Sequence, residues 1–159
     1  MDISIFGLGY VGCVSIGCLA KNGHHIIGVD VSRIKVDQIN SGCATIIEKD
    51  IDIIIAGERK AGHIEATTDS TDAVLRSDIS IVAVGTPSSD KGHLDLQYIF
   101  NVAEEIGKAL SKKSEFHIIA IRSTIMPGTC DKFADIVEKS SGKKRNIGFA
   151  IADNPEFLR

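Results

Sequence analysis

The chain opens with an apolar run, Ile3-Ser4-Ile5-Phe6, that breaks directly into Gly7-Leu8-Gly9-Tyr10-Val11-Gly12. This G-x-G-x-x-G pattern constrains the fold more than any other stretch, because each glycine has its own physical task. Gly7 permits the tight turn out of a strand, Gly9 lets a pyrophosphate approach the backbone with no Cβ in the way, and Gly12 lets the next helix pack close to the sheet. A second apolar run, His25-Ile26-Ile27-Gly28-Val29, ends in Asp30, at about the 20-residue spacing where a dinucleotide-binding unit carries an acid for the adenosine ribose. The motif alone is weak, since glycine is common and the pattern short. Its context is specific: a strand before it, helix-compatible Tyr10 to Asn22 after it, then Gly23, a second strand and an acid. That order predicts NAD, with its phosphates at a helix N-terminus.

Asp30 also bears on which cofactor binds. A carboxylate accepts hydrogen bonds from the ribose 2′ and 3′ hydroxyls and repels the 2′-phosphate of NADP. Arg33 and Lys35 lie nearby and keep NADP open as the alternative, although for Arg33 the plainer account is a solvated first turn of a helix.

Apolar runs of strand length recur at Ile3 to Phe6, His25 to Asp30, Ile64 to Thr67, Ile79 to Val84, His117 to Arg122 and Ile147 to Ala152. Segments of helical periodicity separate them: Tyr10 to Asn22, Arg33 to Ser41, Glu48 to Ala61, Thr71 to Arg76, Asp95 to Lys112 and Thr129 to Ser140. Such alternation predicts an α/β Rossmann fold, a doubly wound parallel sheet of six strands ordered 3-2-1-4-5-6. The ligand crevice then lies at the carboxyl ends of the strands. The loops expected there, around Gly85-Thr86-Pro87-Ser88, Arg122 to Thr129 and Asp153 to Arg159, are small, polar and proline-punctuated. Any one of them is ordinary turn chemistry; three at one edge point to a site.

Composition narrows the function classes. With 159 residues, 43% of them hydrophobic, the chain suits a single globular domain. A net charge of −3 without a long basic run points away from nucleic acid. No apolar stretch reaches the roughly 18 residues of a membrane span, and no secretory signal pattern opens the chain, so a cytoplasmic location is expected. Cys13, Cys18, Cys43 and Cys130 lack metal-ligand spacing and read as reduced and structural, with no metal site. Among the histidines only His93, in an expected loop over the cofactor edge, is a candidate for a ligand contact.

Five strings together resemble the UDP-glucose/GDP-mannose dehydrogenase family: Phe6 to Gly12; Gly28-Val29-Asp30-Val31-Ser32 with Lys35; Val84-Gly85-Thr86-Pro87; Arg122-Ser123-Thr124 with Pro127-Gly128-Thr129; and Asn154-Pro155-Glu156-Phe157-Leu158-Arg159. The wording of Thr86-Pro87-Ser88, of Gly92-His93-Leu94-Asp95-Leu96 and of Lys113-Ser114-Glu115 leans to its GDP-mannose branch. The resemblance implies oxidation of the C6 alcohol of a nucleotide sugar to a carboxylate, with two NAD molecules in succession and a cysteine that holds the aldehyde as a covalent adduct. It further implies that Gly7, Gly9, Tyr10, Val11 and Gly12 serve the pyrophosphate turn, Asp30 and Lys35 the adenosine end, and Thr86 and Thr124 the nicotinamide side. Thr124 and Glu156 match residues that order water or act as acid/base in thioester hydrolysis; without the resemblance, Glu156 reads equally as a carboxylate capping a turn. Glu156, Phe157, Leu158 and Arg159 match the segment lining the sugar site.

None of the four cysteines matches the family's nucleophile, which lies in later portions of its chains. Residues 1–159 are therefore expected to be the NAD-binding domain of a longer, homo-oligomeric enzyme, able to bind NAD and inactive alone. A UDP-glucose or UDP-acetylhexosamine dehydrogenase and a stand-alone NAD-binding module are the alternatives. One departure stands out: Glu48-Lys49-Asp50-Ile51 replaces the family's frequent Glu-Pro-Gly-Leu, leaving the path of that loop open.

Overall fold

Isoleucine, stiff at χ1 and suited to a pleated surface, is the commonest residue of the strands in the computed structural model, which describes residues 1–87 and 94–156. The elements run β1 (Asp2–Phe6), α1 (Tyr10–Lys21), β2 (His25–Val29), α2 (Arg33–Asn40), α3 (Ile51–Lys60), β3 (Ile64–Thr67), α4 (Ser70–Leu75), β4 (Ile79–Val82), α5 (Gln97–Leu110), β5 (His117–Ile121), α6 (Thr129–Ser141) and β6 (Phe149–Asp153). The strands form one parallel sheet in the order β3-β2-β1-β4-β5-β6, as the alternation of runs predicts.

Strand alternation sends side chains to two separate cores. Ile3, Ile5, Ile26 and Ile64 meet Cys13 and Ile16 of α1 and Ile55 of α3 on one face. Phe6, Ile27, Val29, Ile119 and Phe149 meet Ile99 and Ile106 of α5 and Phe133 of α6 on the other. Covering both faces is what makes nearly unalternated apolar strands stable. At the β3 edge the Asn40 side chain both donates to the Ala66 carbonyl (2.8 Å) and accepts from its N–H (2.9 Å), closing part of an otherwise open strand edge.

Several boundaries differ from the sequence reading by a residue or more, and three of them have a clear local reason. β4 ends at Val82 rather than Val84 because the turn at Gly7 wedges against Ala83 and Val84 and ends the ladder. β6 starts at Phe149 because Asn146 takes a left-handed φ of 64° and Ile147 folds into a turn, 80% exposed. α3 starts at Ile51, preceded by Asp50 at φ 64°. A left-handed residue therefore stands where the family often has glycine, and Asp50 bears the strain a glycine would avoid.

Beneath α5, at the edge of the sheet remote from the glycine turn, lies a polar network the apolar pattern did not announce. Ser4 and Ser80 pair in register, with hydroxyls 2.7 Å apart. Lys113 donates to the Val74 carbonyl (2.9 Å), the Ser77 carbonyl and His117 Nδ1 (3.2 Å). An ammonium has no lone pair, so Nδ1 accepts. Nε2 then carries the proton and donates to Ser80 Oγ (2.8 Å), while Ser77 donates to Ser4 Oγ (3.0 Å). His117 is wholly buried, and an unpaired polar group there would cost about 1–3 kcal/mol; the network leaves none.

Burial, reinforced by the Lys113 charge, holds the His117 pKa down to about 4, and burial lowers that of Lys113. The unfolded chain, with histidine at its ordinary value of 6.5, takes up the proton first. The histidine's contribution is therefore complete above about pH 6.5 and is lost as pH falls through about 4. Urea midpoints should show the chain losing about 3 kcal/mol over that interval from this group. A His117→Gln variant should have a flatter pH dependence there; an equal slope would show that His117 is not the titrating group.

Candidate functional site

The glycine turn is built by close contact. Gly7 adopts φ 98°, and a Cβ there would sit 2.7 Å from the Ala83 carbonyl oxygen; a Cβ on Gly12 would sit 1.8 Å from the Gly7 carbonyl oxygen. Both positions exclude any side chain. Gly9 differs: nothing lies within 4 Å of where its Cβ would be, so the space above it is open. Gly9 is the N-cap of α1, with no side-chain cap bond and no acid in the first turn. The first N–H groups of that helix, with the positive end of its dipole, face the opening without an internal partner.

Asp30 ties the second strand to this turn. Its Oδ2 accepts from the Leu8 N–H (2.8 Å) and lies 3.3 Å from Lys35 Nζ, and its Oδ1 accepts from the Ser32 N–H (2.8 Å). A carboxylate has about four acceptor sites. Three are used, which leaves one acceptor site on Oδ1. Arg33 instead pairs with Asp37 on the exposed face of α2, so the plainer account of that residue holds.

Two cavities meet over the turn. One, of about 390 Å³, is lined by Phe6, Gly7, Gly9, Val29, Asp30, Val31, Lys35 and, from α5, Tyr98, Asn101, Val102 and Glu105. The other, of about 740 Å³, is lined by Gly9, Tyr10, Val11, Thr86, Arg122, Ser123, Thr124 and Glu156. Gly9, Ala83, Val84 and Gly85 border both, which makes one crevice with two lobes where the strand order reverses, the usual ligand position in an open α/β sheet. Its rim is cross-tied. Arg122 and Ser123 N–H groups share the Val82 carbonyl (2.8 and 3.1 Å), the Ser123 hydroxyl reaches the Val84 carbonyl (2.7 Å), and the Glu156 N–H reaches the Arg122 carbonyl (3.1 Å).

Of the residues singled out from sequence, Gly7, Gly9, Tyr10, Val11, Asp30, Lys35, Thr86, Thr124 and Glu156 line the crevice. Gly12 is buried beneath it, serving the helix packing. The Thr124 hydroxyl donates to the Glu156 carbonyl (3.3 Å), and the Glu156 carboxylate is ion-paired with Arg122. The Tyr10 hydroxyl donates to Glu48, which raises the tyrosine's pKa and lowers the glutamate's. Ser88, His93, Phe157, Leu158 and Arg159 lie outside the described residues.

Sequence reasoning missed the pairing of Arg122 and the α5 wall. The signal for the wall was present as Tyr98, Asn101, Val102 and Glu105, spaced to share one helix face. Among the described residues no group of His, Cys, Asp or Glu is placed to hold a metal, and no helix is long and apolar enough to cross a membrane.

Residues 1–159 match the model of the UDP-glucose/GDP-mannose dehydrogenase family, NAD binding domain. The chain belongs to this family. It is 49% identical to a GDP-mannose 6-dehydrogenase of Pseudomonas aeruginosa and 38% identical to a UDP-glucose 6-dehydrogenase of Haloferax volcanii, in each case over 100% of this chain and 37% of the relative. The crystal structure of a ternary complex of GDP-mannose dehydrogenase from Pseudomonas aeruginosa superposes with a TM-score of 0.98 at 49% identity, over 100% of this chain and 37% of that one. The chain thus spans a little over a third of the length of these relatives. An NAD-binding domain accounts for the open space above Gly9, the unpartnered amides of α1 and the remaining acceptor site on Asp30.

Two glycine variants separate packing from binding. Gly12→Ala should lower stability by about 3 kcal/mol in thermal or urea unfolding. Gly9→Ala should stay within about 1 kcal/mol of the parent yet weaken NAD binding at least about tenfold, because its methyl occupies the open space. Undiminished NAD affinity in Gly9→Ala would remove the pyrophosphate from that position.

Proposed function

We propose that this chain is the amino-terminal cofactor domain of a nucleotide-sugar 6-dehydrogenase, with GDP-mannose as its sugar nucleotide. The observation that carries the reading is the two-lobed crevice, whose narrower lobe holds Asp30 and Lys35 and whose wider lobe holds Thr86, Thr124 and Glu156. The higher identity to a GDP-mannose 6-dehydrogenase than to a UDP-glucose 6-dehydrogenase favours the GDP sugar.

The residues of the chain divide the work along the crevice. Asp30 accepts from the adenosine ribose while Leu8 N–H holds its carboxylate in place. The first turn of α1 receives the pyrophosphate. Thr86 and Thr124 frame the nicotinamide, and the dinucleotide supplies the hydride acceptor. Arg122 fixes the Glu156 carboxylate at the rim of the wider lobe, where Glu156 and Thr124 hold the water that hydrolyses the thioester. Cys13, Cys18, Cys43 and Cys130 are absent from the lining of either lobe, so the covalent step belongs to a cysteine supplied by the rest of the enzyme. Phe157, Leu158 and Arg159 match the family segment that lines the sugar site. The complete enzyme is a cytoplasmic homo-oligomer.

Calorimetric titration of this chain should show saturable NAD binding, weakened at least about tenfold by Asp30→Ala. Heat-free titration, or an Asp30→Ala variant that binds as the parent does, would end the assignment. In the enzyme containing this domain, Glu156→Gln should lower kcat about a hundredfold or more; a kcat within threefold of the parent, about 0.6 kcal/mol, would relieve Glu156 of its role.

A further inference from the structure

The net negative charge of the narrower lobe is not set by Asp30. Lys35 Nζ lies 3.3 Å from Asp30 Oδ2, so that carboxylate meets a 2′-substituent already neutralised. Arg33, the other nearby cation, is engaged with Asp37 outside the crevice. Glu105 lines the same lobe from α5, half-buried, and among the described residues no cation pairs with it. Among the described residues, the charges around the lobe therefore leave the Glu105 carboxylate uncompensated. A cavity of about 390 Å³ taken as a sphere is about 9 Å across, within the ~10 Å screening length of 0.1 M salt, and its apolar walls of Phe6, Val29 and Val102 focus the field.

We propose that Glu105 is the residue by which this crevice rejects a 2′-phosphorylated dinucleotide, while Asp30 serves chiefly to hold the glycine turn and the ribose diol. The proposal rests on the reading of the crevice as an NAD site and adds a selectivity determinant from the opposite wall. Tyr98, Asn101 and Val102 share its helix face, so the carboxylate is carried on a rigid element, fixed by the burial of Ile99, Val102, Ala103 and Ile106 in the core beneath.

The test is a competition titration of NAD and NADP on the 159-residue chain, read as the ratio of their dissociation constants. Glu105→Gln should lower the preference for NAD about tenfold, and Glu105→Lys should lower it further, giving a graded series that one misfolded variant cannot imitate. Glu104→Gln makes the same charge change one residue away, on the exposed side where Glu104 pairs with Lys108, and should move the ratio less than twofold. A ratio unmoved in both Glu105 variants, or moved equally by Glu104→Gln, overturns the proposal while leaving NAD binding intact. A parent chain that binds neither dinucleotide overturns the cofactor reading and the proposal with it.

Discussion

Backbone contact at the first turn governs the rest of the carboxyl edge. Gly7 passes so close to Ala83, and Gly12 so close to the Gly7 carbonyl, that a side chain at either place would push β1 from β4 or lift α1 from the sheet. Either displacement moves the N-terminus of α1 away from the opening. The same wedge ends β4 at Val82 and splays the chain that follows, so the crevice and the open N-terminus of α1 are consequences of one steric constraint.

Asp30 couples that constraint to recognition. Its bond from the Leu8 N–H fixes the turn from the side of β2, and Thr45 reaches the Leu8 carbonyl (2.8 Å) from the loop before α3. A loop held by both its N–H and its C=O is preorganised, and a ligand that meets it spends little on ordering it. A diphosphate placed at the first turn of α1, as proposed, needs no cationic clamp, because helix amides and dipole suffice there. Charged side chains stand instead at the two ends: Asp30, Lys35 and Glu105 at one, Arg122 and Glu156 at the other.

The opposite edge of the sheet has a separate role. The network of Ser4, Ser77, Ser80, Lys113 and His117 lies under α5 and stays fully bonded without solvent. Slipping β1 against β4 by one residue would part Ser4 from Ser80 and leave buried hydroxyls unpaired, so the polar pairs specify register where the isoleucines around them would accept several alignments. The pH-linked contribution of His117 therefore resides at one end of the sheet and the candidate cofactor crevice at the other.

The sequence by itself determined the winding, the strand order, the glycine turn and Asp30, because local periodicity and residues that tolerate only one backbone shape write themselves into the chain. Strand ends at Val82 and Phe149 were not legible there, since Ala83-Val84 and Ile147 are apolar enough to continue a strand and only the wedge at Gly7 and the turn at Asn146 stop them. Tertiary structure alone decided that Arg122 meets Glu156, that Lys35 neutralises Asp30, and that Glu105 faces the same lobe across the crevice. Charges act through space over several ångströms, and which of them share that space depends on how α5 crosses the sheet, a relation between distant segments that no spacing along the chain records.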